Sequence, residues 1–163
     1  GSEVLREIQE QWEGAVASGQ AAVTRYGYVR RERPSELAVY GRGLDALNKP
    51  DYQSVVTSIQ FHFITTEAVL KDMERLSRFR SLSSLRFCKN QIFELKQLEP
   101  LRQLPTLKSL TISDNPVLGS RSALRTQAIR LLPQLHHFNG REVAGAEREA
   151  ALRLFEPLEQ LGR

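Results

Sequence analysis

Apolar residues recur along this chain in a short pattern that returns after 25 residues. The positions that share this spacing are Leu82, Leu85, Phe87 and Ile92 in one unit and Leu107, Leu110, Ile112 and Val117 in the next. An asparagine, Asn90 or Asn115, occupies the same place in both units. Repetition at a period of about 20 to 50 residues is typical of a solenoid, in which neighbouring units stack.

Two earlier segments keep the apolar skeleton of this unit but lack its asparagine. Val56, Ile59 and Phe61 begin 26 residues before Leu82, and Leu37 stands 22 residues before Ile59. These spacings are close to that of the two later units. We therefore predict about three to four stacked repeats over residues 35–118.

Apolar and polar residues alternate within each unit, which predicts a short strand. Leu85 and Phe87 should point into the core, while Ser84, Arg86 and Cys88 should point outward. Stacked strands of this kind form a parallel sheet on one side of the solenoid, and the rest of each unit returns along the other side. The asparagine turns the chain, and its side-chain amide can bond the backbone of neighbouring turns.

The return segments should differ from unit to unit. Residues 66–79 predict one helix that Thr65 or Thr66 caps, because Val69, Leu70, Met73 and Leu76 form a single stripe. Leucines at every third position over residues 95–104, interrupted by proline, predict a short helix or 3₁₀ turns.

The pattern changes after Pro116, so residues 119–163 predict a C-terminal cap. A helix that Ser122 can cap should carry Leu124 and be ended by Pro133. A half-strand over residues 135–138 and an Asn139-Gly140 turn should follow. A final helix over residues 147–155 should be ended or kinked by Pro157.

The first 34 residues differ in character and predict an N-terminal helix followed by a connector. An apolar face that includes Trp12 recurs at helical spacing over residues 4–16, and Ser18-Gly19 can stop the helix. The charged residues 30–34 have the composition of a connector. Trp12 either packs inside the protein or contacts another chain from an exposed helix.

The two later units and the segment that follows them resemble a known family. Both fit the leucine-rich-repeat consensus, and the tail resembles the C-terminal cap of leucine-rich-repeat proteins of the phosphatase-1-regulator type. The residues that carry the cap resemblance are Asn115, Pro116, Arg125, Leu132, Pro133, Leu135, Asn139, Gly140 and Val143. The resemblance covers roughly residues 80–145. It implies an α/β leucine-rich-repeat solenoid with short parallel concave strands, convex helices and 3₁₀ turns, and flanking helical caps.

The same resemblance implies a non-enzymatic protein–protein interaction module, a scaffold or adaptor subunit of a larger assembly. Proteins with this cap include ciliary and centrosomal scaffolds and the leucine-rich-repeat subunit of the tubulin polyglutamylase complex, which favours a cytoplasmic, cytoskeletal, ciliary, centrosomal or microtubule-associated setting. Two alternatives stay open. One is a regulatory subunit of a phosphatase or another enzyme, and the other is an RNA-associated subunit of the splicing type.

The outward side chains of the predicted sheet are the candidate protein-binding surface. Three rows cross the strands, and they contain Gln60, Arg86 and Thr111, then His62, Cys88 and Ser113, then Phe63, Lys89 and Asp114. Tyr40 and Phe63, if exposed beside Arg86 and Lys89, would combine the residue types that are enriched at interface hot spots. Phe63 could instead pack under the neighbouring helix. Ser58, Ser84 and Ser109 form a further column of small residues.

Candidate chemistry is sparse, so we expect no enzyme, cofactor, metal or small-molecule substrate. His136 and His137 are adjacent and should point to opposite sides of a strand, which makes them a poor ligand pair. Cys88 is the single cysteine, and no histidine is placed by sequence to form a Cys-His dyad with it. A plain surface cysteine is the favoured interpretation.

Charge and hydropathy change this picture little. The net charge is +4, and residues 35–140 carry fourteen bases against nine acids, an excess of +5. This excess is small for its length and lacks the aromatic pattern of a dedicated RNA platform, so protein partners are favoured over nucleic acid. The longest uncharged stretch, residues 52–66, is too short and polar to span a bilayer.

Overall fold

The parallel strands stack in the order of the sequence. The computed structural model describes residue 6 and residues 21–24, 27–119 and 123–161. In these residues, eight strands form one sheet. The strands are β1 (Ala21–Thr24), β2 (Gly27–Arg33), β3 (Glu36–Gly41), β4 (Ser58–His62), β5 (Ser84–Cys88), β6 (Ser109–Ser113), β7 (His137–Phe138) and β8 (Arg141–Glu142). Strands β3 to β7 are parallel, and antiparallel strands close both ends.

The inward side chains follow the predicted alternation. Leu85 pairs in register with Ile59 on one side and Leu110 on the other, and all three side chains are buried. Phe61 and Phe87 form the next inward row, with ring centroids 5.5 Å apart. The α/β repeat solenoid expected from the sequence is therefore confirmed.

The return segments are short helices on the opposite side of the core. They are a 3₁₀ helix at Gly43–Asn48, α1 (Pro50–Val55), α2 (Thr66–Leu70), α3 (Met73–Ser77), a 3₁₀ helix at Leu95–Gln103, a 3₁₀ helix at Pro116–Gly119, and α4 (Leu124–Leu131). The 3₁₀ geometry expected from the leucine spacing of residues 95–104 is confirmed. The last helix, α5 (Gly145–Leu161), belongs to the C-terminal end.

The prediction of one helix over residues 66–79 is wrong, because the chain forms two helices there. Thr65 caps α2 by accepting a hydrogen bond from the Ala68 amide, as expected. Asp72 then accepts the Arg75 amide at 3.0 Å and begins α3. An aspartate side chain can cap a new helix instead of continuing the previous one. The apolar stripe is compatible with both arrangements and does not distinguish them.

The prediction that residues 30–34 form a connector is also wrong. They belong to β2 and to the turn of a hairpin with β3, in which buried Val29 pairs with buried Val39. The Arg31 guanidinium donates two hydrogen bonds to the Pro34 carbonyl and supports this turn. The expected boundary between residues 34 and 35 lies inside the hairpin. The predicted N-terminal helix, including Trp12, lies outside the described residues, apart from the single helical position Arg6.

Buried asparagines link the turns of successive repeats. The Asn90 side chain donates to the carbonyls of Phe61 at 3.2 Å and Ile64 at 2.7 Å. The Asn115 side-chain oxygen accepts the amides of Asn90 at 2.9 Å and Ile92 at 3.1 Å. The predicted role of these residues in bonding neighbouring turns is confirmed.

The asparagine ladder continues into the C-terminal end. The Asn139 side chain accepts the Ile112 amide at 2.7 Å, in addition to its expected place in a turn. Ser122, the expected cap of α4, lies outside the described residues. Helix α5 continues through Pro157, so this proline does not end the helix, which was one of the two expected outcomes. A proline removes one intrahelical hydrogen bond, and its φ remains helical.

Arg125 ties together the elements that follow the last full repeat. Its guanidinium forms two hydrogen bonds with the Glu147 carboxylate, at 2.6 and 2.9 Å. It also donates to the carbonyls of Phe138 at 3.2 Å and Glu142 at 2.7 Å. One side chain of α4 thereby holds β7, β8 and α5 in place.

The Arg125–Glu147 pair predicts a specific loss of stability in acid. The hydrogen bonds from Arg125 hold the pKa of the Glu147 carboxyl below its ordinary value. The stabilisation is complete above the ordinary carboxyl pKa and is lost as pH falls through the lowered one. Urea unfolding of the natural chain and of Glu147→Gln should therefore differ most at neutral pH and converge in acid. A difference that stays constant with pH would contradict this.

Candidate functional site

The outward rows of the sheet match the expected arrangement. Strand register places Gln60, Arg86 and Thr111 side by side, and it places His62, Cys88 and Ser113 in the next row. The column of small residues also forms, and the structure extends it at both ends. Ser58, Ser84 and Ser109 form the column, and the larger residues Glu36 and His137 continue it at its two ends. His137 was missed in the sequence, although the half-strand that carries it was recognised.

The β3 end of this face is closed. The expectation that Tyr40 is exposed there is wrong. Tyr40 keeps only 6% of its surface accessible, and its ring stacks on His62 with centroids 4.5 Å apart. His62 Nε2 lies 3.0 Å from the Gln60 side-chain oxygen. Strand β3 has β2 as a second neighbour, so it lies inside the sheet rather than at its edge. Tyr40 therefore forms a packed wall of the site.

Arg86 occupies the centre of the face and is exposed. Its neighbours in the row, Gln60 and Thr111, are half-buried. In the part of the chain that the structure describes, Arg86 has no hydrogen bond or ion pair. On the β5 and β6 side of this row, strand register places the small residues Ser84, Ser109 and Ser113 next to it. The guanidinium consequently stands above a shallow polar floor, where it can pair with an incoming group.

The third predicted row lies just beyond the strand ends. Phe63, Lys89 and Asp114 all adopt positive φ, between 49° and 60°. The Lys89 ammonium lies 4.8 Å from the centre of the Phe63 ring, a cation–π contact. Phe63 is half-buried and does not belong to the set packed on the core, so the alternative that it packs under the helix is not supported.

Cys88 adjoins this row. Its sulfur lies 3.6 Å from a carboxylate oxygen of Asp114. Burial is the main cause that raises the pKa of the Cys88 thiol; Asp114 adds to the rise, and the positive charge of Lys89 opposes it. A raised pKa leaves less thiolate at neutral pH, which is the opposite of nucleophile activation.

This environment predicts slow alkylation of Cys88. At pH 8 the folded chain should react with iodoacetamide more slowly than an unstructured cysteine peptide does, because the thiolate is the reacting form. Mass spectrometry over time measures the rate, and the same chain in urea serves as the control. A folded chain that reacts as fast as the peptide would contradict the raised pKa of the Cys88 thiol.

Other candidate chemistry is limited. His136 and His137 are both exposed, and no group of three possible metal ligands occurs among the described residues. Within those same residues, no helix has the length and apolar character needed to cross a membrane. Two exposed apolar side chains that the sequence reading missed, Phe93 and Leu118, occupy equivalent positions 25 residues apart, just after the buried Ile92 and Val117. The repeat spacing could have shown this equivalence.

Two curated proteins are similar to this chain in sequence. An uncharacterised Caenorhabditis elegans protein is 25% identical over 122 residues, which are 74% of this chain and 26% of that protein. The U2 small nuclear ribonucleoprotein A' of Eremothecium gossypii is 35% identical over 97 residues, or 55% of this chain and 40% of that protein. The chain therefore spans well under half the length of these relatives.

Solved structures share the fold. The Drosophila melanogaster SNF/U2A' complex matches with a TM-score of 0.50 and 20% identity, over 66% of this chain and 64% of that chain. The Chaetomium Mex67:Mtr2 subunits match with a TM-score of 0.52 and 14% identity, over 73% of this chain and 88% of that chain.

A family model of the leucine-rich repeat matches residues 46–160. The match extends from the first 3₁₀ helix to α5 and covers more than half of the chain. Proteins of this kind are generally non-enzymatic modules that use an extended concave face for binding. The chain belongs to the leucine-rich-repeat family, and it is a protein-interaction module.

Proposed function

We propose that this chain is an adaptor that holds a protein partner on the concave sheet face, with Arg86 as the central contact. The observation that carries the proposal is the exposed guanidinium above small side chains. A partner that supplies a carboxylate to Arg86 would gain a bidentate ion pair. The packed Tyr40–His62 pair and the Phe63–Lys89 pair would border that contact.

The distribution of side-chain size along the sheet supports this site. Ala38 and Tyr40 are buried at one end, whereas serines and a threonine leave the face open over β5 and β6. Protein interfaces favour an Arg or aromatic anchor surrounded by residues that contribute less energy.

Replacing Arg86 should weaken partner capture at least about tenfold, the loss typical of a hot-spot arginine. Affinity purification of the full-length protein, with quantitative mass spectrometry, would identify partners for the natural chain, for Arg86→Glu, and for Lys96→Glu as a control of equal charge change. Lys96 is exposed on the convex side. A partner lost from Arg86→Glu alone supports the concave site. Equal recovery with all three chains would move the site elsewhere.

An RNA-associated assembly subunit is the second candidate. The specific observation in its favour is the 35% identity to a subunit of a small nuclear ribonucleoprotein. Both structural neighbours are also described as assemblies of named partners, SNF/U2A' and Mex67:Mtr2. In such a setting the concave face would bind a protein subunit of the particle.

The cellular setting stays a prediction. The cytoplasmic, cytoskeletal, ciliary or centrosomal location, a place in a tubulin-modifying complex, and the regulation of a phosphatase all rest on the resemblance of the repeats and cap. Imaging of the tagged full-length protein together with microtubule and nuclear markers would test the location. Exclusive nuclear staining would contradict the cytoskeletal setting and support the RNA-associated one.

A further inference from the structure

We propose that one edge of the solenoid binds the sugar–phosphate backbone of a nucleic-acid duplex. This edge, which we call the strand-entry edge, consists of the three loops that lead into β5, β6 and β7, together with the helix ends that precede them, at residues 78–83, 102–108 and 130–136. The loops carry five Lys and Arg residues and one histidine, and they contain no Asp or Glu. The cations are Arg78, Arg80, Arg102, Lys108 and Arg130.

The opposite edge has the reverse charge. The three segments that leave β4, β5 and β6, at residues 63–67, 89–94 and 114–119, carry three carboxylates and one lysine. The fold therefore places the basic residues at one edge of the solenoid and the acidic residues at the other. A polyanion would be drawn to the strand-entry edge and repelled from the other.

The backbone holds the three loops in a fixed arrangement. The Lys108 amide donates to the Ser83 carbonyl at 2.8 Å, and the His136 amide donates to the Lys108 carbonyl at 2.7 Å. The Gln134 side chain adds a hydrogen bond to the Leu101 carbonyl at 3.0 Å. Neighbouring loops follow the strand spacing of about 4.8 Å. The cations thus start from a rigid frame, which lowers the entropy lost on binding.

Two of these cations are available for phosphate. Arg80 and Arg102 are exposed, and neither has a hydrogen bond or ion pair among the described residues. Within the described part of the chain, Arg78 has an exposed contact with Glu74 at 3.6 Å, and the Lys108 ammonium donates to the Pro105 carbonyl at 3.3 Å. A phosphate oxygen can replace both of these weak interactions.

The surroundings favour nucleic acid over an acidic peptide. The exposed large apolar residues of the described chain are Val55, Phe93, Leu118 and Leu152, and all of them lie outside the strand-entry edge. The fully buried core of a protein–protein interface is apolar, whereas nucleic-acid interfaces are polar and strongly positive. Phe79 is buried and cannot stack on a base, which leaves the exposed imidazole of His136 as the ring of this edge. Contact with a duplex backbone requires neither.

Binding of a fluorescent duplex RNA of about 20 base pairs, measured by anisotropy across a salt series, tests the proposal. The paired change Arg80→Glu with Arg102→Glu should weaken binding at least about tenfold and reduce the salt slope by about 2. The matched control, Lys49→Glu with Lys71→Glu, makes the same charge change on the convex side, where both lysines are exposed. It should alter affinity less than about threefold.

Four results would overturn the proposal. They are no duplex binding at low salt, equal loss with the control pair, tighter binding of polyglutamate than of the duplex, and tighter binding of single-stranded RNA. Circular dichroism confirms that each variant is folded. Because the two surfaces share no residue, Arg86→Glu should leave duplex binding unchanged. Failure of this proposal is thereby separate from failure of the concave-face proposal.

Discussion

Replacing Asn115 by leucine is expected to lower the free energy of unfolding by about 4 kcal/mol, because two backbone amides lose their acceptor and each costs about 1–3 kcal/mol when buried and unpaired. The amides are those of Asn90 and Ile92, and Asn115 itself is 6% exposed. Leucine has the same number of side-chain heavy atoms and the same branch point, so the change removes hydrogen bonds without leaving a cavity. Urea unfolding followed by circular dichroism measures the effect.

Gln103→Leu is the matched control for this change. Gln103 is exposed at the end of a 3₁₀ helix and has no side-chain hydrogen bond among the described residues. Its replacement should change stability by less than about 0.5 kcal/mol. Hydrogen exchange gives a second readout, since the Asn90 and Ile92 amides should exchange faster in Asn115→Leu. Equal midpoints for the two variants would show that the asparagine ladder contributes little.

The repeat core could be predicted because the residue types that it requires recur at fixed positions in each repeat. A residue such as Leu85 must alternate with polar neighbours to face inward, and Asn90 must recur because a turn with no strand partner still has backbone groups to satisfy. Both requirements act within one unit of 25 residues and repeat. Spacing alone therefore identifies the inward rows, the outward rows and the turns.

The N-terminal hairpin could not be predicted in the same way. Only Val29 of strand β2 is described as buried, and the charged run that follows it has no apolar alternation. The strand exists because β3 offers it an edge to pair with, which is a tertiary effect that outweighs local composition. Without β2, Tyr40 was expected to be exposed on the concave face.

The positive charge of the strand-entry edge could not be predicted from the sequence for a different reason. Summing charge over residues 35–140 gives a small excess, and the sum does not show which residues meet in space. Arg80 and Arg102 become neighbours in the same edge only when the repeats are stacked, as do the carboxylates of the opposite edge. Charge has to be counted by position within the repeat rather than along the chain.

The second large effect is expected at the C-terminal end, where Arg125→Ala should lower the free energy of unfolding by about 2–3 kcal/mol. The change removes the bonds to Glu147 and leaves the carbonyls of Phe138 and Glu142 without this donor. Charge-assisted hydrogen bonds contribute about 1.5–3 kcal/mol each, but partial exposure of Glu147, at 35%, reduces the total.

Two further variants separate the geometry of Arg125 from its charge. Arg125→Lys keeps the charge but cannot form the paired bonds to Glu147, so its stability should lie between those of the natural chain and Arg125→Ala. Arg102→Ala removes an exposed arginine that has no bond in the described chain and should cost less than about 0.5 kcal/mol. If the Arg125–Glu147 pair holds α5 in place, part of the helicity of Arg125→Ala, measured by circular dichroism, should be lost before its repeats unfold. A single transition that coincides with that of Arg102→Ala would show that α5 is held by apolar packing alone.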